Sequence, residues 1–421
     1  MKKWLLGLML LSSFSSKAQN KINEELNTLI NNSFHYFSKS KEVENSLIVA
    51  QEKLKLTEMS RNPEIEAAAS YNYIMPKISF PINGKEIQFA PVNNFSSSIG
   101  TSYTLFDFGR FKTNVSKAKS ELQFSKDNLE AAKHQLANQV ASVYYNIVYF
   151  KKAIAIQDSI INYYKENKNF VSNKVKNGDM LELDIYNLQS SIDIEENKKI
   201  DLTASLQKQL ELLEYITGVK QSNGNTFDFD VNADTFSSSG NNPEITLAKD
   251  KVAIAKQELA SIKLNNKPTM GIRAGAGFRN GFVPEVEDMR FNYMAGLFLN
   301  IPIFNFGKTK QQIKLQQSLV KQAELAHEST ISANKKDIAQ IQIDINANTE
   351  RLKNCKSQIE AGQKALMITT SRYKNGVATY LDVANAIALL QKVSLYQLQY
   401  EYQLCLSKIE LCRLTGNQFW K

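Results

Sequence analysis

Apolar and polar residues alternate in four short stretches of the chain. In the first, Ala67, Ala69, Tyr71, Tyr73 and Met75 share one parity and Ser70 and Asn72 the other. In the second, Phe95, Ile99, Tyr103 and Leu105 alternate with Ser96, Ser98, Gly100, Ser102 and Thr104. Met270, Ile272, Ala274, Ala276 and Phe278 then alternate with Gly271, Arg273, Gly275, Gly277 and Arg279, and Phe291, Tyr293, Ala295, Leu297, Leu299 and Ile301 again share a parity. A period of two places each apolar set on one face of a β-strand. Pro76, Pro81, Gly84 and Pro91 mark a loop between the first two strands, and Gly281 and Pro284 a loop between the last two.

The period changes after each pair of strands. From Phe111 to Lys176 there is no Pro or Gly, and Val115, Ala118, Leu122, Leu129, Ala132, Leu136, Val140, Val143, Ile147, Phe150 and Ile154 fall at three- and four-residue steps. This predicts one coiled-coil-like helix with a phase shift near Leu136, and some 65 residues make a rod of about 100 Å. Asp107 and Asn305 stand where side-chain oxygens cap a helix. Asn177-Gly178 and Asn375-Gly376 supply the left-handed residue that closes one. A second helix of roughly 38 residues then returns to Gly218 or Gly416.

The two halves repeat in step. Phe106, Phe108, Gly109, Asn177, Gly178, Leu183, Asp184, Thr217 and Gly218 each recur 198 positions later. Pro63 and Pro268 are 205 apart, so the loop of the first strand pair is seven residues longer. The chain divides into a leader (1–18), N-terminal helices (19–62), a strand hairpin (63–106), a long helical hairpin (107–218) and an equatorial connector (219–242). A helix (243–267), a second strand hairpin (268–304), a second helical hairpin (305–416) and a tail (417–421) follow. One supersecondary unit is used twice.

Composition narrows the class. Charged residues are 22% and hydrophobic ones 43%, a mixture that excludes a multi-pass helical membrane protein. Lys2 and Lys3, the apolar run Trp4–Leu11 and Ser16-Lys17-Ala18 have the pattern of a secretory leader. The net charge of +9, spread over this length, does not imply nucleic acid. Cys355, Cys405 and Cys412 are too few for a disulfide framework and read as small buried hydrophobes. Gly307-Lys308-Thr309 resembles the end of a phosphate loop, but Pro302 occupies the required upstream glycine. His35, His134 and His327 are scattered. No metal site, cofactor site or catalytic constellation assembles, and no enzyme is expected.

Four strands in an exported chain raise a question about sheet edges, since each unpaired backbone group costs several kcal/mol in hydrocarbon. Barrels that cross membranes close with at least about eight strands. Three chains would supply twelve strands, with Arg273 and Arg279 facing a water-filled lumen. At this point the chain resembles the TolC-like family of bacterial outer membrane efflux proteins. The resemblance covers the mature chain and includes Leu105-Phe106-Asp107-Phe108-Gly109, Pro302-Ile303-Phe304-Asn305-Phe306-Gly307, and Arg372-Tyr373 with Gly376, Thr379 and Leu381-Asp382-Val383.

The resemblance implies a homotrimer. Its 12-stranded β-barrel would cross the outer membrane, in contact with lipid, and continue as a periplasmic α-helical barrel. It would serve as the passive channel of a tripartite efflux or type I secretion system, working with a periplasmic adaptor protein and an inner-membrane transporter. The hairpin tips at Asn177, Gly178, Asn375 and Gly376 would dock the adaptor. Asp382 matches an acidic gate position, Tyr373 a linking tyrosine, and Asp184 the carboxylate that the tyrosine engages. Asn385 and Ala378 depart from the pattern, standing where a second acidic residue and a linking arginine occur. The plainer reading of Asp184 and Asp382 is that they start the return helices, where a carboxylate favours the helix dipole. A secreted coiled-coil structural or adhesin protein without a pore is the alternative reading of the whole chain.

Overall fold

The computed structural model describes residues 24–82, 85–220, 228–229 and 242–420. The leader, 1–18, and most of the connector, 219–242, lie outside the described residues. The elements run α1 (Glu24–Tyr36), α2 (Ser38–Met59), β1 (Glu64–Tyr73), β2 (Ser79–Ile82), β3 (Lys85–Gln88), β4 (Asn93–Phe106), α3 (Arg110–Lys176) and α4 (Glu182–Thr217). There follow α5 (Pro243–Leu264), β5 (Thr269–Arg279), β6 (Arg290–Asn300), α6 (Lys308–Lys374) and α7 (Tyr380–Thr415). Helices α3 and α6 have 67 residues each, and α4 and α7 have 36 each. The equal lengths reflect the repeat.

Two compact units divide the described residues. One takes them from Glu42–Glu130 and Pro243–Ser332, the other from Met1–Lys41, Ala131–Asn242 and Ala333–Lys421.

The first unit holds an antiparallel sheet in the order β1-β4-β5-β6. Its register aligns the apolar parities of all four strands. Ala67 pairs with Ile99, Ile99 with Ala276, and Ala276 with Tyr293. Two rows along on the same face, Tyr103, Ile272 and Leu297 line up. The opposite face carries Ser102 beside Arg273 and Ser96 beside Arg279, with Arg290 next to Arg279. A one-residue slip would exchange the faces, so the patterning itself fixes this register.

The loop after β1 departs from expectation. It contains a separate two-stranded ribbon, β2 with β3, in which Pro81 pairs with Glu86. Pro81 marks a loop when met in sequence, yet both strands of a ribbon are edges, where a missing N–H is tolerated. Much of the extra length of the first loop is spent here.

Asp107 caps α3: its carboxylate accepts from the Gly109 N–H at 3.0 Å and the Phe111 N–H at 2.6 Å. Asn305, its repeat partner, acts differently. Its side-chain nitrogen donates to Asn266 Oδ1 at 3.1 Å and Thr309 Oγ1 at 2.7 Å, and among the described residues its side-chain oxygen accepts from no backbone N–H. The expected cap at Asn305 is thus replaced by a side-chain network that also joins Thr309 to Asn266. Within the same unit the Arg110 guanidinium donates to the carbonyls of Leu264, Asn265 and Lys267 at 3.1–3.3 Å, satisfying groups left open at the end of α5.

The second unit is helical. Around Leu136 to Val148, α3 is buried on nearly every side, with Val140, Tyr144, Ile147 and Val148 fully enclosed. The phase shift in the apolar stripe is the sequence signature of this wrapping. Helix α1 contributes Leu26, Leu29, Ile30 and Phe34 to the cluster, and the tail adds Phe419 and Trp420. Trp420 meets His134 at 4.7 Å and Phe34 at 6.0 Å between ring centroids. The three cysteines are free and buried. Burial pushes the thiols of Cys405 and Cys412 up to about 12, so they behave as apolar groups.

Candidate functional site

The sheet leaves its apolar face uncovered. Tyr293 is 81% exposed, Leu297 75%, Ile99 62% and Phe291 61%. Among the described residues nothing packs over it, and β1 and β6 each present a free edge. A sheet in water would bury such a face against helices. An apolar face turned outward and a polar face carrying Arg273 and Arg279 is the division of surfaces found in a membrane barrel. Arg273 lies over Phe298 at 5.6 Å and Arg279 over Phe282 at 4.8 Å, cation–π contacts that orient both guanidiniums.

Each strand pair leads into its long helix through an aromatic turn. Phe106 and Phe108 meet edge to face at 4.7 Å, and Phe304 and Phe306 at 4.6 Å. Phe108 and Phe306 both take positive φ, 56° and 53°, an outlying conformation for a bulky residue. Both copies keep it, and all four rings are exposed. Exposed aromatic rings at a strand end are suited to a headgroup boundary.

In the helical unit, the turns after α3 and α6 close alike. Gly178 and Gly376 take φ of 79° and 74°. Gly178 N–H reaches Val175 O at 3.0 Å and Asp179 N–H reaches Lys174 O at 2.9 Å; Gly376 N–H and Val377 N–H do the same to Tyr373 O and Arg372 O. This is the Schellman closure, for which only glycine is unstrained.

The acidic candidates sit in the first turns of the helices that follow. Asp382 is exposed and forms a capping box: its Oδ2 accepts from the Thr379 N–H and Oγ1, both at 2.8 Å, while Thr379 Oγ1 accepts from the Asp382 N–H at 3.3 Å. These bonds hold its carboxyl below the usual carboxylate range. Asp184 is half-buried in the first turn of α4, whose N-cap is Leu181, with no side-chain cap. Its carboxylate accepts no hydrogen bond among the described residues.

Tyr373 is buried, 3% exposed, in a cluster with Tyr164, Leu188, Val383 and Ile387. Among the described residues its hydroxyl has no hydrogen-bond partner, so the expected Tyr373–Asp184 bond is not made here. Burial first, then the negative charge of Asp184, pushes that hydroxyl up to about 12. Two other polar links are made instead. Tyr380 Oη on α7 meets Ser191 Oγ on α4 at 2.7 Å, and Tyr163 on α3 meets Thr370 on α6. Neither pair was legible in sequence, where Ser191 and Thr370 are ordinary helix-surface residues. One carboxyl elsewhere is also perturbed. Asp250 on α5 is pushed up to about 6 by burial and then by its hydrogen bond with Asp127 of α3, with Lys249 opposing.

The family profile of the outer membrane efflux proteins matches residues 41–219 and, a second time, 238–417. The chain belongs to that family. Cation efflux system protein CusC of Escherichia coli K12 is 24% identical over 397 residues, covering 87% of this chain and 81% of CusC. Among solved structures, the outer membrane protein VceC of Vibrio cholerae superposes with a TM-score of 0.79 at 18% identity, over 94% of this chain and 97% of VceC. The CmeC outer membrane channel of Campylobacter jejuni gives 0.80 at 16%, over 94% and 86%. The protein is thus an outer membrane efflux protein reaching into the periplasm, with the fold of a channel and not of an enzyme family. Among the described residues no helix is long and apolar enough to cross a membrane, and no group of His, Cys, Asp and Glu could hold a metal.

Proposed function

We propose that three copies of this chain form the outer membrane channel of a tripartite efflux or type I secretion system. The observation that carries this is the open-edged sheet with its exposed apolar face. A single copy has four strands in this sheet and two unpaired edges, and edges cannot stand in hydrocarbon. Joining β6 of one copy to β1 of the next three times would give twelve strands and no edge. In that arrangement Arg273 and Arg279 line the lumen, where they avoid the roughly 2–4 kcal/mol cost of facing lipid. The four aromatic rings of the strand-to-helix turns form a girdle at one rim.

The conduit is passive. Direction and cargo come from an inner-membrane transporter joined through a periplasmic adaptor, which docks at the turns of Asn177-Gly178 and Asn375-Gly376. The gate is formed by the first turns of α4 and α7 with Tyr373. The orphaned Tyr373 hydroxyl supports a second state: an unpartnered buried hydroxyl costs about 1–3 kcal/mol, and Asp184 is the charged neighbour that could accept from it. Tyr380–Ser191 and Tyr163–Thr370 join helices in the state described.

The test is the mass and conductance of detergent-purified full-length protein. A trimer that forms channels in planar bilayers is expected. A water-soluble monomer without conductance overturns the proposal.

A further inference from the structure

Two apolar clusters share the helical unit. One includes Ile147 of α3, Leu213 of α4 and Cys405 of α7; the other includes Ile160, Ile192 and Ile387 of the same three helices. Between the two sets, Gln157 of α3, Glu195 of α4 and Gln391 of α7 face one another. They meet. Gln157 Nε2 donates to Glu195 Oε2 at 2.5 Å and to the Glu195 carbonyl at 2.9 Å. Gln391 Nε2 donates to the same Oε2 at 2.8 Å and to Gln157 Oε1 at 3.1 Å. Lys198 Nζ occupies the other carboxylate oxygen at 2.8 Å.

The node is dry. Gln157 is 2% exposed and Glu195 7%. A carboxylate at that depth is tolerated only when its lone pairs are filled. Here they are: burial alone would raise its protonation range, but Lys198, Gln157 and Gln391 together hold it below the usual one.

The fold does not require these residues. The repeat partners of Gln157 and Glu195 are Cys355 and Val393, both buried. Apolar packing therefore serves at the equivalent places in the second copy, and the first copy departs from it at a cost in desolvation. Apolar side chains slide past one another with little directional preference. A shared carboxylate has one geometry.

We infer that Gln157, Glu195 and Gln391 form a second restraint on the closed channel, pinning α7 to the first helical hairpin independently of the tyrosine contacts near the turns. The inference rests on the channel reading above. Gln391 is the contribution of α7 to the node, so movement of α7 must withdraw its amide. Withdrawal leaves the Glu195 carboxylate short of a donor until water enters. The node is then either joined, as here, or parted and hydrated.

The test is planar-bilayer conductance of the full-length protein, with assembly checked on the same samples. Gln391→Ala is expected to shift the closed-to-open ratio about tenfold toward open, the effect of losing a hydrogen bond to a charged group. Tyr380→Phe, which breaks the Ser191 link, is expected to open the channel too, and the double variant to multiply the two effects. Gln391→Glu guards against a simple packing defect. It sets two carboxylates together, so conductance should be high at pH 7 and fall reversibly toward pH 5 as the pair takes up a shared proton. The other groups facing the node are Lys198 on α4 and Tyr164 on α3. Burial pushes the Tyr164 hydroxyl up to about 12, outside that window. If wild type and Tyr380→Phe conduct differently while Gln391→Ala matches wild type and Gln391→Glu shows no reversible pH step, the node is overturned and the channel stands. If assembled wild type and every variant are silent, the channel reading falls and the inference with it.

Discussion

Helices α3 and α6 end in the same way, but the helices that follow them begin differently. Both ends use Asn-Gly, the same two backbone hydrogen bonds and a glycine at φ 74–79°. In the second copy Thr379 and Asp382 then cap each other, and Tyr380 reaches Ser191. In the first, Leu181 stands in place of Thr379, Glu182 in place of Tyr380, and Asp184 has no cap to join. Backbone requirements survived duplication, whereas the polar groups diverged. The second turn is fastened by its own side chains, and the first keeps a carboxylate free to find a partner.

The packing beneath the two turns gives the largest expected difference. Ile387 is 1% exposed within the cluster around Tyr373, and Ile387→Ala should cost about 2–5 kcal/mol in urea unfolding of the purified protein. Its repeat partner Gln189 is partly exposed, bonded to Lys168 and Asp193, and Gln189→Ala should cost about 1 kcal/mol or less. Similar losses at both positions would remove the asymmetry.

The shared closure predicts equality instead. A Cβ at Gly178 or Gly376 would meet nothing within 4 Å, so Gly178→Ala and Gly376→Ala pay only for the left-handed backbone, roughly 1–2 kcal/mol each. Unequal losses in the same unfolding assay would show that one turn is held by contacts the other lacks.

What was legible in the sequence follows the same line. The strands, their faces, the helix ends and the glycine turns are local: Gly178 and Gly376 announce their own conformation, and the parity of Ile272 or Tyr293 states which side it occupies. Side-chain meetings across helices are not local. Whether Tyr373 reaches Asp184 depends on the rotation of two helices 36 residues or longer, and here the hydroxyl remains alone. Gln157, Glu195 and Gln391 look like surface residues until three helices are brought together. Phe419 and Trp420 lie in a tail with no periodic signal, and their burial comes from the cluster they fill. Pro81 misled because a proline excludes a central strand, not a ribbon edge.

Capping gives a smaller and more selective comparison. Thr379→Ala should destabilise by about 1 kcal/mol, the usual cost of losing a threonine cap. Leu181→Thr would recreate Thr-x-x-Asp ahead of α4 and should stabilise by a similar amount while engaging Asp184. If Asp184 serves the gate through its free carboxylate, Leu181→Thr should also alter conductance, whereas Thr379→Ala alters it less. A stabilised Leu181→Thr channel with unchanged conductance would separate Asp184 from gating.

The smallest effect is a titration confined to one turn. The Thr379 N–H and hydroxyl hold the Asp382 carboxyl below its usual range, so its contribution is present above the ordinary carboxylate pKa and is lost as pH falls through the lowered one. Because Asp382 is exposed, the loss should appear as fraying of the start of α7, read by amide hydrogen exchange at Tyr380 to Val383, and not as global unfolding. Acidification should speed exchange there in the wild type. In Thr379→Ala the acid-induced change should shrink, since the mutual cap is already broken. An equal acid response in both proteins would mean that the box seen at Thr379 and Asp382 does not set the stability of this turn, and the contrast with Leu181 and Asp184 would lose its physical basis.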